Sequence, residues 1–188
     1  VWVATVSGKL YVFGYDGVLL GVGRPGGIPL VRAFHDVGPT MICTSGGGKD
    51  FSRWDVTQFT VERTYFGRTP GEVVSCVVQA NRHSTALIAS STASIRLWSI
   101  DGGCYAEVSE AASQLVAIFD ERSDGAKVWA AQQGWITVFV LATTSKTTTF
   151  SRERTIPCAG VIQLIRTNPG HICSVDSEEL VTVWNTDG

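Results

Sequence analysis

A chain of 188 residues with 44 % hydrophobic and only 17 % charged side chains can bury one sizeable core, which excludes an intrinsically disordered segment. A net charge of −2 and a pI near 5.9 leave no basic field of the kind that binding to phosphate backbones needs, so nucleic acid is not an expected partner. No apolar run approaches the ~20 residues of a membrane span, and no charged start leads into an apolar signal core, so direct membrane insertion is not expected either.

Twenty glycines against one methionine, with Val, Ile and Thr abundant, favour many short strands joined by turns. The elements predicted in chain order begin with Val1–Thr5, Lys9–Phe13 and Val18–Gly23. A second group is Pro29–Phe34, Met41–Ser45, Phe51–Trp54 and Phe59–Phe66. A third runs Val73–Val78, Ala86–Ser90, Ile95–Trp98 and Cys104–Val108, and a fourth Leu115–Phe119, Lys127–Ala131, Trp135–Phe139 and Thr147–Arg154. The last comprises Val161–Ile165, His171–Val175 and Leu180–Trp184.

Within each group, an apolar strand ending in small residues and an alternating strand ending in an aromatic read as a hairpin. The closing aromatics are Phe13, Trp54, Trp98, Phe139 and Trp184, and they recur every ~40 to 45 residues, the spacing of four-stranded propeller blades. The expected fold is therefore all-β, a β-propeller of four-stranded antiparallel blades, with about five blades in this chain over residues 1–25, 26–67, 71–109, 113–155 and 159–188. The first group lacks a leading strand and the last lacks a trailing one, so both end blades are expected to be incomplete. Apolarity falls from the leading to the trailing strand, which predicts an innermost strand shielded on all sides and a solvated outermost edge. A start at Val1, already inside a strand, suggests a piece of a longer polypeptide.

The segments Asp50–Asp55 (DFSRWD), Ile95–Asp101 (IRLWSID) and Leu180–Asp187 (LVTVWNTD) resemble the ends of WD40 repeats, in which an alternating strand closes in Trp-Asp. Gly170-His171 resembles the Gly-His pair of that family, placed directly before a strand rather than at the usual offset. The resemblance implies a ring of about seven or eight blades in the parent protein. It also implies a non-enzymatic scaffold whose partners are other proteins or other domains of the same polypeptide. In regular members a buried His, Ser/Thr, Asp and Trp network pins each blade; most units here lack the His and the Asp, so apolar packing must hold them. The form Val-Trp-x-Ala at Val1–Ala4 and Val128–Ala131 is similar to degenerate propellers on lipid phosphatases and Roco-type kinases, so the alternative is an accessory domain of a larger multidomain enzyme.

Partner-binding anchors are expected at Arg24, Arg32, Arg82 and Arg122, by loop or strand-edge placement, and at Trp135, which opens its strand out of phase with the closing aromatics. The run from Thr143 to Arg154 offers Thr147, Thr149 and Ser151 as phosphate acceptors beside Lys146, Arg152 and Arg154. Gly21 to Gly26 satisfies G-x-G-x-x-G but lies among prolines with no helix to follow, and reads as a loop whose glycines supply positive φ. Gly46 to Asp50 reads as a hairpin turn, while Asp16-Gly17, Asp101-Gly102 and Asp187-Gly188 read as turns after aromatic-ended strands. His35 and His83 have no second metal ligand at close spacing, and His171 is expected to bond backbone in a neighbouring blade. The leading strands carry no ionisable group except Arg32 and Cys76, so no catalytic, metal or cofactor site and no small-molecule substrate is expected. Cys43, Cys76, Cys104, Cys158 and Cys173 are odd in number and form no CxxC, which suggests buried reduced thiols and a cytoplasmic location.

Overall fold

A computed structural model describes residues 1–5, 7–23, 31, 33–37, 41–46, 48–67, 69–80, 86–119, 125–143, 148–158, 160–168 and 171–186. These residues form an all-β chain of five antiparallel sheets, each a meander in which every strand pairs with the next. The first sheet holds β1 (Trp2–Ala4), β2 (Leu10–Phe13) and β3 (Leu19–Gly23). The second holds β4 (Ala33–Asp36), β5 (Met41–Ser45), β6 (Phe51–Asp55) and β7 (Thr60–Tyr65). The third comprises β8 (Val74–Gln79), β9 (Ala86–Ser91), β10 (Ile95–Ser99) and β11 (Cys104–Val108). In the fourth are β12 (Gln114–Phe119), β13 (Ala126–Gln132), β14 (Trp135–Thr143) and β15 (Thr148–Pro157), and in the fifth β16 (Val161–Asn168), β17 (His171–Asp176) and β18 (Val181–Asn185). Every predicted group of strands is one sheet. Among the described residues the largest boundary shift is at the end of β14, which runs on to Thr143 from the anticipated Phe139; the anticipated start of the second group at Pro29 lies outside the described residues.

The closing aromatic occupies the same place in each hairpin. Trp54 pairs with Ile42, Trp98 with Leu87, Phe139 with Val128 and Trp184 with Ile172. In each of the four sheets where another strand follows, the pairing slips by one residue immediately before that aromatic, at Val12/Phe13, Arg53/Trp54, Leu97/Trp98 and Val138/Phe139. A bulge of this kind bends its strand and increases the local twist. The repeat is thus a repeat of register as well as of sequence.

Side-chain alternation explains why the middle sheets are apolar on both faces. In β10, Ile95 and Leu97 pack toward the fourth sheet while Trp98 packs toward the second. In β14, Ile136 and Val138 face the fifth sheet and Phe139 faces the third. Trp54 likewise turns back to Leu10 and Trp2 of the first sheet, and Trp184 turns back to Trp129 and Ile136 of the fourth. Each closing aromatic after Phe13 therefore fills the seam with the preceding sheet. Burying one such side chain contributes about 1.5–3 kcal/mol, so the four seams hold the chain together. Polar ties cross them as well: Ser75 Oγ and Ser90 Oγ donate to Ala112 O at 2.6 and 2.9 Å, and Leu164 N donates to Gln114 Oε1 at 2.8 Å.

Two expectations are corrected by this packing. The leading strand of a sheet is not its most buried: β8 and β12 are half-buried, whereas β9 and β10 are almost wholly so. A leading strand has one paired edge, while the middle strands are covered on both edges and both faces. Residues 24–26 of the Gly21–Gly26 run lie outside those described, but the strand predicted over Val18–Gly23 forms as β3. Gly21 and Gly23 therefore lie in it and not in a positive-φ loop; an added Cβ would meet Phe59 at 2.7 Å and Trp54 at 2.8 Å. They are flat beds for two rings. Among the described residues no closed ring of sheets is formed, and no helix is long and apolar enough to cross a membrane.

Candidate functional site

The turn between β13 and β14 is two residues long, Gln133 and Gly134, with Gln132 paired to Trp135. Gly134 takes φ +89°, a conformation two-residue hairpins require and side chains resist. Trp135 is 46 % exposed, unlike the aromatics that close the third strands. Its indole N–H donates to Gln132 Oε1, and Thr137 Oγ1 donates to the same oxygen at 2.6 Å. The Gln132 amide in turn donates to Glu110 Oε2 at 3.0 Å, and the other Glu110 oxygen accepts from Arg152. Gln132 itself is buried. Across the hairpin, Trp135 stands opposite the exposed Pro157 of β15, and Cys158 N donates to Gly134 O at 3.1 Å. The result is a large apolar ring held at a surface by bonds made inside the protein.

The third sheet places a second glutamate in the corresponding connection. Glu72 precedes β8 and is buried; its carboxylate accepts from Ser91, from Ser94 at 3.0 Å and from Arg96 at 2.8 Å. Arg96 also bonds Glu107 at 3.0 Å. Burial alone would raise the Glu72 carboxyl, but the hydroxyls of Ser91 and Ser94 and the Arg96 guanidinium outweigh it and hold it below the usual carboxylate range. Lys49, Phe51 and Trp98 join these groups around a small cleft. Here the polar groups satisfy one another.

Arg24, Arg32, Arg82, Arg122 and Thr147 lie outside the described residues, as do His83 and Asp187-Gly188. Trp135 is thus the one expected anchor whose geometry is described. Thr149 and Ser151 are exposed on β15, and Thr149 Oγ1 donates to Ala142 O at 3.3 Å. The arginines expected to receive a phosphate there are already engaged, Arg152 with Glu110 and Arg154 over the Trp129 ring at 5.5 Å. The Asp16-Gly17 and Asp101-Gly102 turns form, with Gly17 at φ +80° and Gly102 at φ +91°.

Of the two described histidines His35 is buried, whereas His171 is exposed at the start of β17. His35 Nε2 shares a hydrogen bond with Ser45 Oγ at 3.0 Å, and burial lowers its pKa to about 4, so it is neutral at physiological pH. All five cysteines are free; Cys43 is buried and its thiol is pushed up by that burial, while the other four are only partly covered. Cys43 is a small packing residue, not a nucleophile. Among the described residues no group of three or more His, Cys, Asp or Glu side chains gathers as metal ligands do.

Glu72, Arg96, Glu110 and Gln132 escape the sequence reading. Arg96 carries a usable signal, since a charge flanked by Ile95 and Leu97 in an apolar strand must find a buried partner. Its partner lies in a loop, where no pattern marks it. No family model matches the chain, and no curated protein matches it.

Proposed function

We propose that the chain is a set of WD40-like propeller blades that acts as a non-enzymatic protein-interaction module, with the Trp135–Pro157 tip as its anchor for a partner protein. The observation that carries the reading is the indole of Trp135, exposed yet fixed through Gln132 and Glu110. An aromatic ring that is already ordered loses little freedom on binding, and rings of this kind concentrate interface energy. Further support for the radial arrangement comes from β4, β8, β12 and β16, which neighbour one another in that order, and from the repeated seams. The free thiols favour a reducing, cytoplasmic setting.

The partner suited to this tip is a protein segment offering an apolar side chain to the ring. A photo-crosslinking residue at position 133, followed by mass spectrometry and quantitative pull-down, identifies it. Trp135→Ala is expected to cut capture of the crosslinked partner by about tenfold or more while leaving thermal stability within about 0.5 kcal/mol. Equal capture by the Trp135→Ala and Pro157→Ala variants removes the tip from the interface, and the proposed role with it.

A further inference from the structure

The register of β15 sorts its hydroxyls onto two faces. Paired residues of antiparallel strands point to the same side of a sheet, and along each strand the sides alternate. Thr149 and Ser151 pair with Ala142 and Val140, whereas Arg152, Thr155 and Pro157 pair with Phe139, Thr137 and Trp135. The bulge opposite Val138/Phe139 lets Arg152 and Thr155, three residues apart, share one face. Ser151, although next to Arg152 in sequence, lies on the other side.

Thr155 is exposed, while Thr137 across from it is buried. Its strand is the outermost of the fourth sheet, extended and paired along one edge only. The segment Arg152-Glu153-Arg154-Thr155-Ile156-Pro157 places a guanidinium three residues before this hydroxyl. Protein kinases select acceptors by the charge pattern around them, and a cation at that distance suits a carboxylate-lined substrate cleft. Arg152 can serve, since its side chain is more than half exposed and its pair with Glu110 is of the surface kind that exchanges readily. Arg154 cannot, because it lies over the Trp129 ring on the opposite face.

We propose that Thr155 is a phosphorylation site whose phosphate is held by Arg152. In the transfer, Thr155 Oγ1 attacks the γ-phosphorus of magnesium ATP brought by the kinase. The new O–P bond forms as the bond from that phosphorus to the β–γ bridging oxygen breaks; ADP leaves, and the hydroxyl proton passes to the catalytic carboxylate of the kinase. The product carries roughly two negative charges and three acceptor oxygens on the face that bears Arg152. A guanidinium gives phosphate two parallel N–H bonds, so Arg152 turns from Glu110 to the phosphate. Glu110 keeps its bond from the Gln132 amide. The inference goes beyond the proposed partner-binding role, since it holds whether or not Trp135 meets a partner.

Incubation of the folded full chain with magnesium ATP and the catalytic subunit of cAMP-dependent protein kinase, an arginine-directed enzyme, tests the site, with peptide mass spectrometry as the readout. Phosphate is expected on Thr155, and Thr155→Val is expected to abolish it. Arg152→Gln is expected to slow the incorporation. With both the wild type and Arg152→Gln driven to full phosphorylation by more enzyme, phosphorus NMR follows the second ionisation of the phosphate. A neighbouring cation favours the dianion, so the wild-type phosphate should titrate at lower pH than that of the variant. Circular dichroism melting checks that both variants fold. A folded chain that takes no phosphate on Thr155, whether or not a synthetic peptide of residues 148–158 does, overturns the proposal. So does an Arg152→Gln chain modified as fast as wild type, or one whose phosphate titrates at the same pH.

Discussion

The third and fourth sheets place a glutamate in the same connection and put it to opposite uses. Glu72 turns inward, where Ser91, Ser94 and Arg96 enclose it. Glu110 sits nearer solvent and spends its oxygens on Gln132 and Arg152, which leaves Gln132 free to hold the Trp135 ring outward. Ser94, just before β10, and Trp135, which opens β14, occupy corresponding positions four residues before the closing aromatic. Closure and display thus differ by a few side chains on a common backbone. The first arrangement stabilises a seam; the second prepares a surface.

The largest effect is expected where the closed cluster loses its cation. Arg96→Met leaves Glu72 buried with two hydroxyls and no counter-charge, and is expected to cost about 3–5 kcal/mol in urea unfolding at neutral pH. The sign of the pH dependence should reverse with it. In the native chain Glu72 is held below its ordinary pKa, so its contribution is present above the unfolded value of about 4.3 and is lost as pH falls below it. Without Arg96, burial raises the carboxyl in the folded state, and stability should rise as pH is lowered toward 5. A Glu72→Leu/Arg96→Met pair, lacking both charges, should recover most of the loss. A cost below about 1 kcal/mol for Arg96→Met would mean the cluster is open to water and the contrast between the two sheets is false.

Much of this architecture is legible in the residues. A strand that must close in Phe or Trp, after alternating apolar positions, announces both its hairpin and its phase, so all five sheets can be drawn from the period alone. The bulge before the first four of these aromatics cannot, because it depends on backbone pairing with a strand whose register the sequence leaves open. Gly21 and Gly23 fall both in a predicted strand and in a G-x-G-x-x-G run, and what needs glycine there shows only once Phe59 and Trp54 are placed against them. His171 stands beside a family-like glycine yet is exposed, while His35, without any such marker, is buried on Ser45. Trp135 is readable as out of phase; what holds its ring is not, since Gln132, Thr137 and Glu110 are ordinary polar residues joined only by folding.

A sharper test of display than of stability removes the shared acceptor. Gln132→Leu is expected to cost about 1–2 kcal/mol, mainly because the Thr137 hydroxyl, itself buried, loses its partner. The same change releases the Trp135 indole. Its side-chain N–H resonance should narrow, and its heteronuclear NOE should fall, while those of the buried Trp54 and Trp98 stay as they are. Partner capture should fall less than with Trp135→Ala, since the ring remains but is no longer pre-set. An indole N–H whose dynamics do not change places its order in ring packing rather than in the Gln132 bond.

The smallest effect belongs to the outermost member of the open cluster. Arg152 is more than half exposed, and its pair with Glu110 is solvated on one side. Arg152→Ala should cost no more than about 0.5 kcal/mol. The Gln132–Glu110 bond persists without it, so the Trp135 indole signal should be unchanged. Because a surface pair is screened over roughly 3 Å at 1 M salt, the small difference between wild type and variant should vanish there, whereas the Arg96→Met deficit should survive. Salt therefore separates the two glutamates: the one enclosed between sheets keeps its counter-charge at any ionic strength, and the one at the display tip exchanges its own for solvent ions.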